Sequence, residues 1–328
     1  MKWVITGGCG FIGVNLIARL LGEDKDTPIR VVDNLSASTR EHLATVCEFR
    51  EVPAASPGPV GRPGVELVVG DVRDRELALR VTDGADAVVH LAACTGVLPS
   101  IEDPVTDCET NVLGTLNFLL GAREAGCSAF VLASSGAPLG EQDPPIHEEK
   151  VPRPLSPYGA SKLCGEAYLH AFHGSYDLPT VALRFSNVYG PRSGHKGSVV
   201  AKFINRAVAG ETLEIWGDGS QTRDFIYVED LVDAVVRAAQ ADVGGEVFQI
   251  ATHRETTVSE ITEMLADLLA ERTGVRPEVK HGPRMKGEIQ RNFSDVSKAK
   301  RILGWEPTTQ LRDGLAATLD WFLAQREG

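Results

Sequence analysis

The feature that most narrows what this 328-residue chain can fold into is the way its first strand ends. The apolar run Trp3-Val4-Ile5 breaks into Thr6-Gly7-Gly8-Cys9-Gly10-Phe11-Ile12-Gly13, and a helical pattern runs from Phe11 to Leu21. Glycines at 7, 10 and 13 let a strand turn at once into a helix whose first amides stay uncovered, and those amides suit a pyrophosphate. A tight turn without a ligand would use the same glycines, so the context decides. That context is Asp33, which closes the next apolar run about twenty residues on, where a carboxylate accepts bonds from both adenosine ribose hydroxyls and repels a 2'-phosphate. NAD is therefore expected rather than NADP, although Arg40 nearby would suit the extra phosphate.

Short apolar runs alternate with amphipathic stretches through the first half. The runs Trp3 to Ile5, Ile29 to Val32, Val65 to Val69, Ala87 to Leu91, Phe130 to Ala133 and Thr180 to Leu183 read as buried parallel strands. Helices are expected at Phe11 to Leu21, Thr39 to Val46, Arg75 to Val81, Pro104 to Ala125 and Pro157 to Tyr176. This order predicts an α/β fold, a Rossmann-like doubly wound parallel sheet with right-handed crossovers. The proline- and glycine-rich stretch from Pro53 to Gly64 is expected to be a mobile surface loop. After about Phe185 the alternation ends, and helical patterns at Val199 to Ala209, Leu231 to Ala241, Val258 to Thr273 and Leu311 to Gln325 mix with short strands. We therefore expect a dinucleotide-binding domain over 1–184, to which about 224–252 returns, and a smaller C-terminal α/β substrate domain over 185–328.

A net charge of -12 argues against nucleic acid or an anionic membrane as partner, where a basic patch would be needed. Six scattered cysteines lack the spacing of a zinc site or a dense disulfide framework and are expected as reduced thiols, with no metal. The N-terminal apolar stretch is too short for a signal peptide or a membrane span, so a cytoplasmic protein is expected.

Tyr158 and Lys162 stand four apart in Ser156-Pro157-Tyr158-Gly159-Ala160-Ser161-Lys162, on one face of a helix. From that spacing the ammonium is expected to favour the phenolate and give a base usable near neutral pH. Ser134 and Ser135 follow the strand Phe130 to Ala133, at the carboxyl edge where doubly wound sheets hold ligands. Asp71, after Val65 to Val69, occupies another such loop and is expected near adenine.

With these blocks in view, the chain resembles the extended short-chain dehydrogenase/reductase family, specifically its nucleotide-sugar epimerases and dehydratases. The resemblance rests on Thr6 to Gly13, Val32-Asp33-Asn34-Leu35, Gly70-Asp71-Val72, His90-Leu91-Ala92-Ala93, Ser156 to Lys162 and Arg184-Phe185-Ser186-Asn187-Val188-Tyr189-Gly190-Pro191-Arg192. It continues in Trp216-Gly217-Asp218-Gly219-Ser220-Gln221-Thr222-Arg223-Asp224-Phe225 and Leu303-Gly304-Trp305-Glu306-Pro307. It implies that Ser135, Tyr158 and Lys162 are the catalytic hydroxyl, base and supporting lysine. It implies NAD contacts from Gly7, Gly10, Phe11, Ile12, Gly13, Asp33, Asn34, Asp71, Val72, Leu91, Ala92, Ala93, Tyr158 and Lys162. Asn187, Arg192 and Arg223 match positions near the nucleotide diphosphate, with Ser135 also on the sugar.

In the family's 4,6-dehydratases the residues after the catalytic hydroxyl are Asp and Glu, and decarboxylating members carry Glu in the second position. Here they are Gly136 and Ala137, which cannot move a proton. The resemblance thus implies 4-epimerisation of a nucleotide sugar through a transient 4-keto intermediate, the sugar being a UDP-hexose, UDP-N-acetylhexosamine or UDP-hexuronate. A dehydratase, decarboxylase or dehydrogenase of the same family, or a non-catalytic NAD-sensing protein, is the alternative. Pro138-Leu139-Gly140 departs from the usual Val-Tyr-Gly, which removes an aromatic hydroxyl near the sugar and leaves the substrate's identity open, and Asn292 stands where some hexose-specific members carry a bulky tyrosine, which points to a roomier pocket. The helices Pro104 to Ala125 and Pro157 to Tyr176 carry more apolar surface than one sheet contact needs, and in the family this pair makes a dimer, so a homodimer is expected.

Overall fold

A computed structural model of the chain describes residues 1–194, 196–283 and 289–327. The first part alternates strands β1 (Trp3–Thr6), β2 (Ile29–Asp33), β3 (Phe49–Glu51), β4 (Val65–Val69), β5 (Ala87–His90), β6 (Ala129–Ser135) and β7 (Thr180–Phe185) with helices. These are α1 (Phe11–Glu23), α2 (Arg40–Ala44), α3 (Arg75–Thr82), α4 (Val97–Glu102), α5 (Pro104–Cys108), α6 (Gly114–Ala125) and α7 (Pro157–Tyr176). Beyond them come β8 (Asn187–Tyr189), α8 (Val199–Val208), β9 (Leu213–Trp216), β10 (Thr222–Arg223), β11 (Phe225–Tyr227), α9 (Val228–Gln240) and β12 (Glu246–Ile250). The chain finishes with β13 (Thr256–Thr257), α10 (Val258–Thr273), β14 (Val279–Gly282), α11 (Ser297–Leu303) and α12 (Leu311–Glu327).

Eight strands form one parallel sheet in the order β12-β7-β6-β5-β1-β2-β4-β3. The order reverses at β1, which lies between β2 and β5 with Trp3 opposite both Ile29 and Ala87. Such a reversal opens a crevice at the strands' carboxyl ends, because successive crossovers leave toward opposite faces. The two-residue period of a strand sends Ile5, Val31 and Val89 into the core under α1 and α9, and Val4, Val32 and Val88 into the core under α3, α6 and α7. A third core joins α8, α10 and α12 beside β9 and β11, including Phe203, Ile215, Leu265 and Leu319. Among the described residues no helix is long and apolar enough to cross a membrane.

All six expected strands are present, and β12 returns late in the chain to pair with β7. The edge strand β3 and the short α4 carry too little periodicity to be read from sequence. The stretch from Pro53 to Gly64 forms no regular element, as expected, but it is fastened down. Arg30, fully buried, donates to the carbonyls of Pro57 (3.2 Å) and Gly58 (2.9 Å), and Val60 is buried with its amide on the Asp83 carbonyl at 2.7 Å. The single helix expected over Pro104 to Ala125 is interrupted by a wide π turn at Glu109–Leu113. Side-chain bonds at Asn111 hold that turn, a tertiary constraint that helical periodicity does not register.

Arg30 is neutralised by Glu66, whose Oε2 accepts from Nε at 3.1 Å and Nη2 at 2.7 Å, while Arg50 bonds the other oxygen. Removing one partner of a buried pair leaves the other charge without compensation, at about 3–5 kcal/mol. Glu66→Ala is therefore expected to lower unfolding free energy by about 3 kcal/mol or more, whereas the half-exposed Arg50→Ala costs less than about 1 kcal/mol. Denaturant unfolding of the two variants checks this, and equal losses would contradict it.

Candidate active site

The crevice is built first from close backbone approach. Gly7 adopts φ +65°, and a Cβ there would stand 2.8 Å from the amide nitrogen of Ala92 in the loop after β5. At Gly13 a Cβ would meet the Cα of Gly8 at 2.5 Å and the carbonyl of Gly7 at 2.7 Å. Glycine is thus required for the turn to fold back onto α1 and against β5. The Thr6 hydroxyl accepts the Ala92 amide at 3.1 Å and Leu91 donates its amide to the Thr6 carbonyl at 3.2 Å, so Leu91 and Ala92 are held over the glycine turn, with Ala93 next in line. Gly10 caps α1 without any side chain, which leaves the first amides of the helix, from Phe11 and Ile12, aimed into the crevice.

Asp33 ends β2 beside this turn. Its Oδ2 accepts the Cys9 amide at 3.0 Å and its Oδ1 accepts the Leu35 amide at 2.9 Å. Burial pushes its pKa up, and these two amides pull it back. Each oxygen keeps a lone pair for a ribose hydroxyl. Asn34 donates to Asp71 at 3.2 Å, and Arg73 grips Asp71 at 2.9 and 3.0 Å, chiefly through which its carboxyl is lowered to about 2. Val72 is buried, and Asn117 donates to its carbonyl and to that of Arg73 at 3.1 and 3.0 Å. Arg40 is occupied by Glu51 on the surface. An uncovered helix end, an unobstructed turn and a ribose carboxylate fit a dinucleotide, and they fit one without a 2'-phosphate.

The catalytic candidates meet at the end of β6. Ser134 turns inward to Glu166, which also receives Arg184 through Nε at 2.9 Å and Nη2 at 2.7 Å. Ser135 is left for the crevice, accepts the Ala137 amide at 3.2 Å and lowers the pKa of the Tyr158 phenol. Ser156 caps α7 by accepting the Gly159 amide at 3.1 Å, and this start fixes Tyr158 in the first turn with Lys162 one turn on. Lys162 is buried, donates to the Ala133 carbonyl at 2.9 Å, and its Nζ lies 5.9 Å from the centre of the Tyr158 ring.

Burial acts on both members of this pair. Burial raises the Tyr158 phenol, the Ser135 bond lowers it and the charge of Asp107 raises it again. Burial brings Lys162 down to about 8, while the charges of Asp107 and Glu166 hold its proton on. Spacing alone does not make the phenolate; burial of the ammonium, invisible in an i, i+4 pattern, opposes it.

The expected substrate contacts are more dispersed. Asn187 is exposed on β8 and donates to the Asp224 carbonyl at 3.2 Å. Arg192, at φ +70°, docks on Asn15 of α1 at 2.8 Å. Arg223 donates to the carbonyls of Thr222 and Ile289 at 2.7 and 2.8 Å. Gly136 and Ala137 bring no ionisable side chain to this end of β6, and Leu139 is fully buried. Asn292 lies against Thr222, its amide 3.4 Å from the hydroxyl.

Sequence reasoning missed Asn111. Its Oδ1 accepts the Cys94 amide at 2.8 Å, and its Nδ2 lies within bonding distance of the Cys94 carbonyl (3.0 Å), Asp107 (2.9 Å) and Ser161 (3.1 Å). It joins the loop after β5, the π turn and α7 behind Tyr158. Asn-Val-Leu-Gly-Thr at 111–115 was the available signal, hidden inside an ordinary helical pattern.

Comparison with known proteins places this geometry. The chain is 35% identical over 327 residues, 98% of each sequence, to a UDP-glucose 4-epimerase of Mycolicibacterium smegmatis. Its fold matches the Thermotoga maritima UDP-glucose 4-epimerase crystallised with UDP-glucose, at TM-score 0.87 and 34% identity over 99% of this chain and 100% of the other. It matches the Streptomyces venezuelae dTDP-glucose 4,6-dehydratase bound to NAD almost as well, at TM-score 0.86 and 31% identity over 100% and 98% of the two chains. Residues 3–251 match the NAD dependent epimerase/dehydratase family, and with the crevice described above this chain belongs to that family.

Proposed function

We propose that the protein is an NAD-dependent 4-epimerase of a nucleotide sugar, of the UDP-hexose, UDP-N-acetylhexosamine or UDP-hexuronate class. The observation that carries this reading is the pairing of an intact Ser135, Tyr158 and Lys162 with Gly136 and Ala137 beside them. Tyr158 takes the proton of the sugar C4 hydroxyl as a general base, and Ser135 hydrogen-bonds the same oxygen and stabilises its charge. Lys162, which donates to the Ala133 carbonyl, would hold the nicotinamide ribose. When bound, NAD would supply the acceptor and return donor of hydride at C4. With no carboxyl at 136 or 137, the ketosugar keeps its other protons, and turning within the crevice presents the opposite face of C4. Tyr158 then returns its proton to the new alkoxide.

In the same reading residues 1–184 with about 224–252 hold the dinucleotide, and 185–328 hold the nucleotide sugar through Asn187, Arg192 and Arg223. Guanidinium groups there match diphosphate oxygens and offset the net negative charge. Unpaired thiols at all six cysteines are in keeping with a reducing compartment such as the cytoplasm. A homodimer is supported by Leu98, Ile101 and Val105, 56–64% exposed on α4 and α5, with Leu113 on the π turn and Leu155 before α7 also exposed.

Three outcomes test this. Tyr158→Phe should retain NAD and nucleotide-sugar binding while turnover falls about a thousand-fold; near-normal turnover would remove the assignment. Val105→Glu should convert a dimer, seen by sedimentation at micromolar concentration, into a monomer, and a wild-type monomer would contradict the interface. A substrate deuterated at C4 should yield its epimer with the label still at C4 and no solvent deuterium at C5 or C6. A stable 4-keto-6-deoxy product, or a pentose and carbon dioxide from UDP-glucuronate, would show a dehydratase or decarboxylase instead.

A further inference from the structure

Behind the crevice lie two buried cations and two buried anions. Glu166 and Arg184 close on one another through two hydrogen bonds, with Ser134 completing the carboxylate, so their charges balance locally. The other cation, Lys162, is 4% exposed and has the Ala133 carbonyl as its hydrogen-bond acceptor. The other anion is Asp107 on α5, 2% exposed. Its Oδ2 accepts from Asn111 at 2.9 Å, and its Oδ1 is buried with no hydrogen-bond partner. A carboxylate of this kind is costly to bury unless a positive charge compensates it.

The other groups around Lys162 cannot take that part. His90 on β5 bonds Thr6 at 3.0 Å and is driven to about 3 by burial and by Lys162, so it is neutral. Cys94 in the loop after β5 is tied through its backbone to Asn111, and Tyr158 on α7 is a phenol raised by burial. Glu166 is spent on Arg184. Of the charges that hold the proton on Lys162, Asp107 is the strongest, ahead of Glu166.

We propose that Asp107 is the counter-charge of the buried Lys162 ammonium and a positioning residue for proton transfer at Tyr158. It acts through space and through Asn111, which also fastens Ser161 and so the first turn of α7, where Ser161 donates to the Tyr158 carbonyl at 3.1 Å. The inference rests on the reading of Tyr158 as the base. The sign is fixed by charge. Removing one negative charge lowers the pKa of every neighbour, so Lys162 loses its proton at lower pH and Tyr158 ionises at lower pH.

The test compares Asp107→Asn and Asp107→Ser, which remove the charge, with Asp107→Glu, which keeps it. In both neutral variants the pH profile of turnover should move acidward by about one pH unit, with the alkaline limb falling earlier, and Asp107→Glu should restore the wild-type position. Independently of turnover, the tyrosinate absorbance of Tyr158 in the NAD-bound protein, isolated by subtracting Tyr158→Phe, should titrate at lower pH in the neutral variants. A uniform loss of activity without a shift in either titration would overturn the role, because a residue needed only for packing moves neither. If one neutral variant does not fold, as judged by circular dichroism, the other decides. Near-normal turnover of Tyr158→Phe would sink the parent reading, whereas loss of turnover there with unshifted Asp107 variants would sink this inference alone.

Discussion

The site depends on the carboxylate of Asp33. By accepting one amide from the glycine turn and one from the segment after β2, it ties the ends of two adjacent strands into a single rim. The bonds are charge-assisted and buried, so they resist opening more than neutral bonds between loops would. Without them the turn between β1 and α1 would keep the Gly7 amide on the Val32 carbonyl at 2.8 Å, the His42 ring against the Cys9 carbonyl at 3.0 Å and the close glycine contacts, but no charged group. In the proposed function the same carboxylate meets the adenosine ribose, so the group that assembles the rim would also read the ligand. Its raised pKa reflects that compromise: burial penalises the charge, and the two amides keep it.

From this rim the geometry follows strand by strand. Thr6 carries the fastening across to β5 through Ala92 and His90, and β5 hands it to the π turn through Cys94 and Asn111. Asn111 in turn reaches α7, where Tyr158 and Lys162 stand. A continuous set of hydrogen bonds thus runs from the dinucleotide side of the crevice to the base. The π turn matters because it lets Asp107, Asn111 and Thr115 all contribute polar groups inward within one helical stretch, with Thr115 Oγ1 donating to the Asn111 carbonyl at 2.6 Å.

Much of this was legible in the sequence because it is local. Strands buried on both faces write continuous apolar runs, and the glycine turn, Asp33 and the Tyr158/Lys162 pair are fixed by spacing along the chain. The choice between Ser134 and Ser135 was not local. It is made by Glu166 and Arg184, which approach Ser134 from another helix and another strand. The same holds for Asn111, whose partners lie 17 residues back in the loop at Cys94 and 50 residues on at Ser161, and which in turn donates to Asp107. The stretch from Pro53 to Gly64 shows the limit from the other side: its composition forbids regular structure, but only the burial of Arg30 decides that it is held.

The two buried ion sets behind α7 divide the work that a single pair could not do. Glu166 with Arg184 is closed and hydrogen-bonded, so it fixes the end of β6 and holds Ser134 out of the crevice, leaving Ser135 alone to meet Tyr158. A closed pair of this sort cannot also tune a lysine, because its field largely cancels beyond its own length. Lys162 instead feels the charge of Asp107 through space and forms no ion pair with it, so the charge on each remains available to its surroundings. An open pair is less stable than a closed one of the same burial. In the proposed function, what it provides is a negative charge near Lys162 and the Tyr158 phenol that shifts the titration of both.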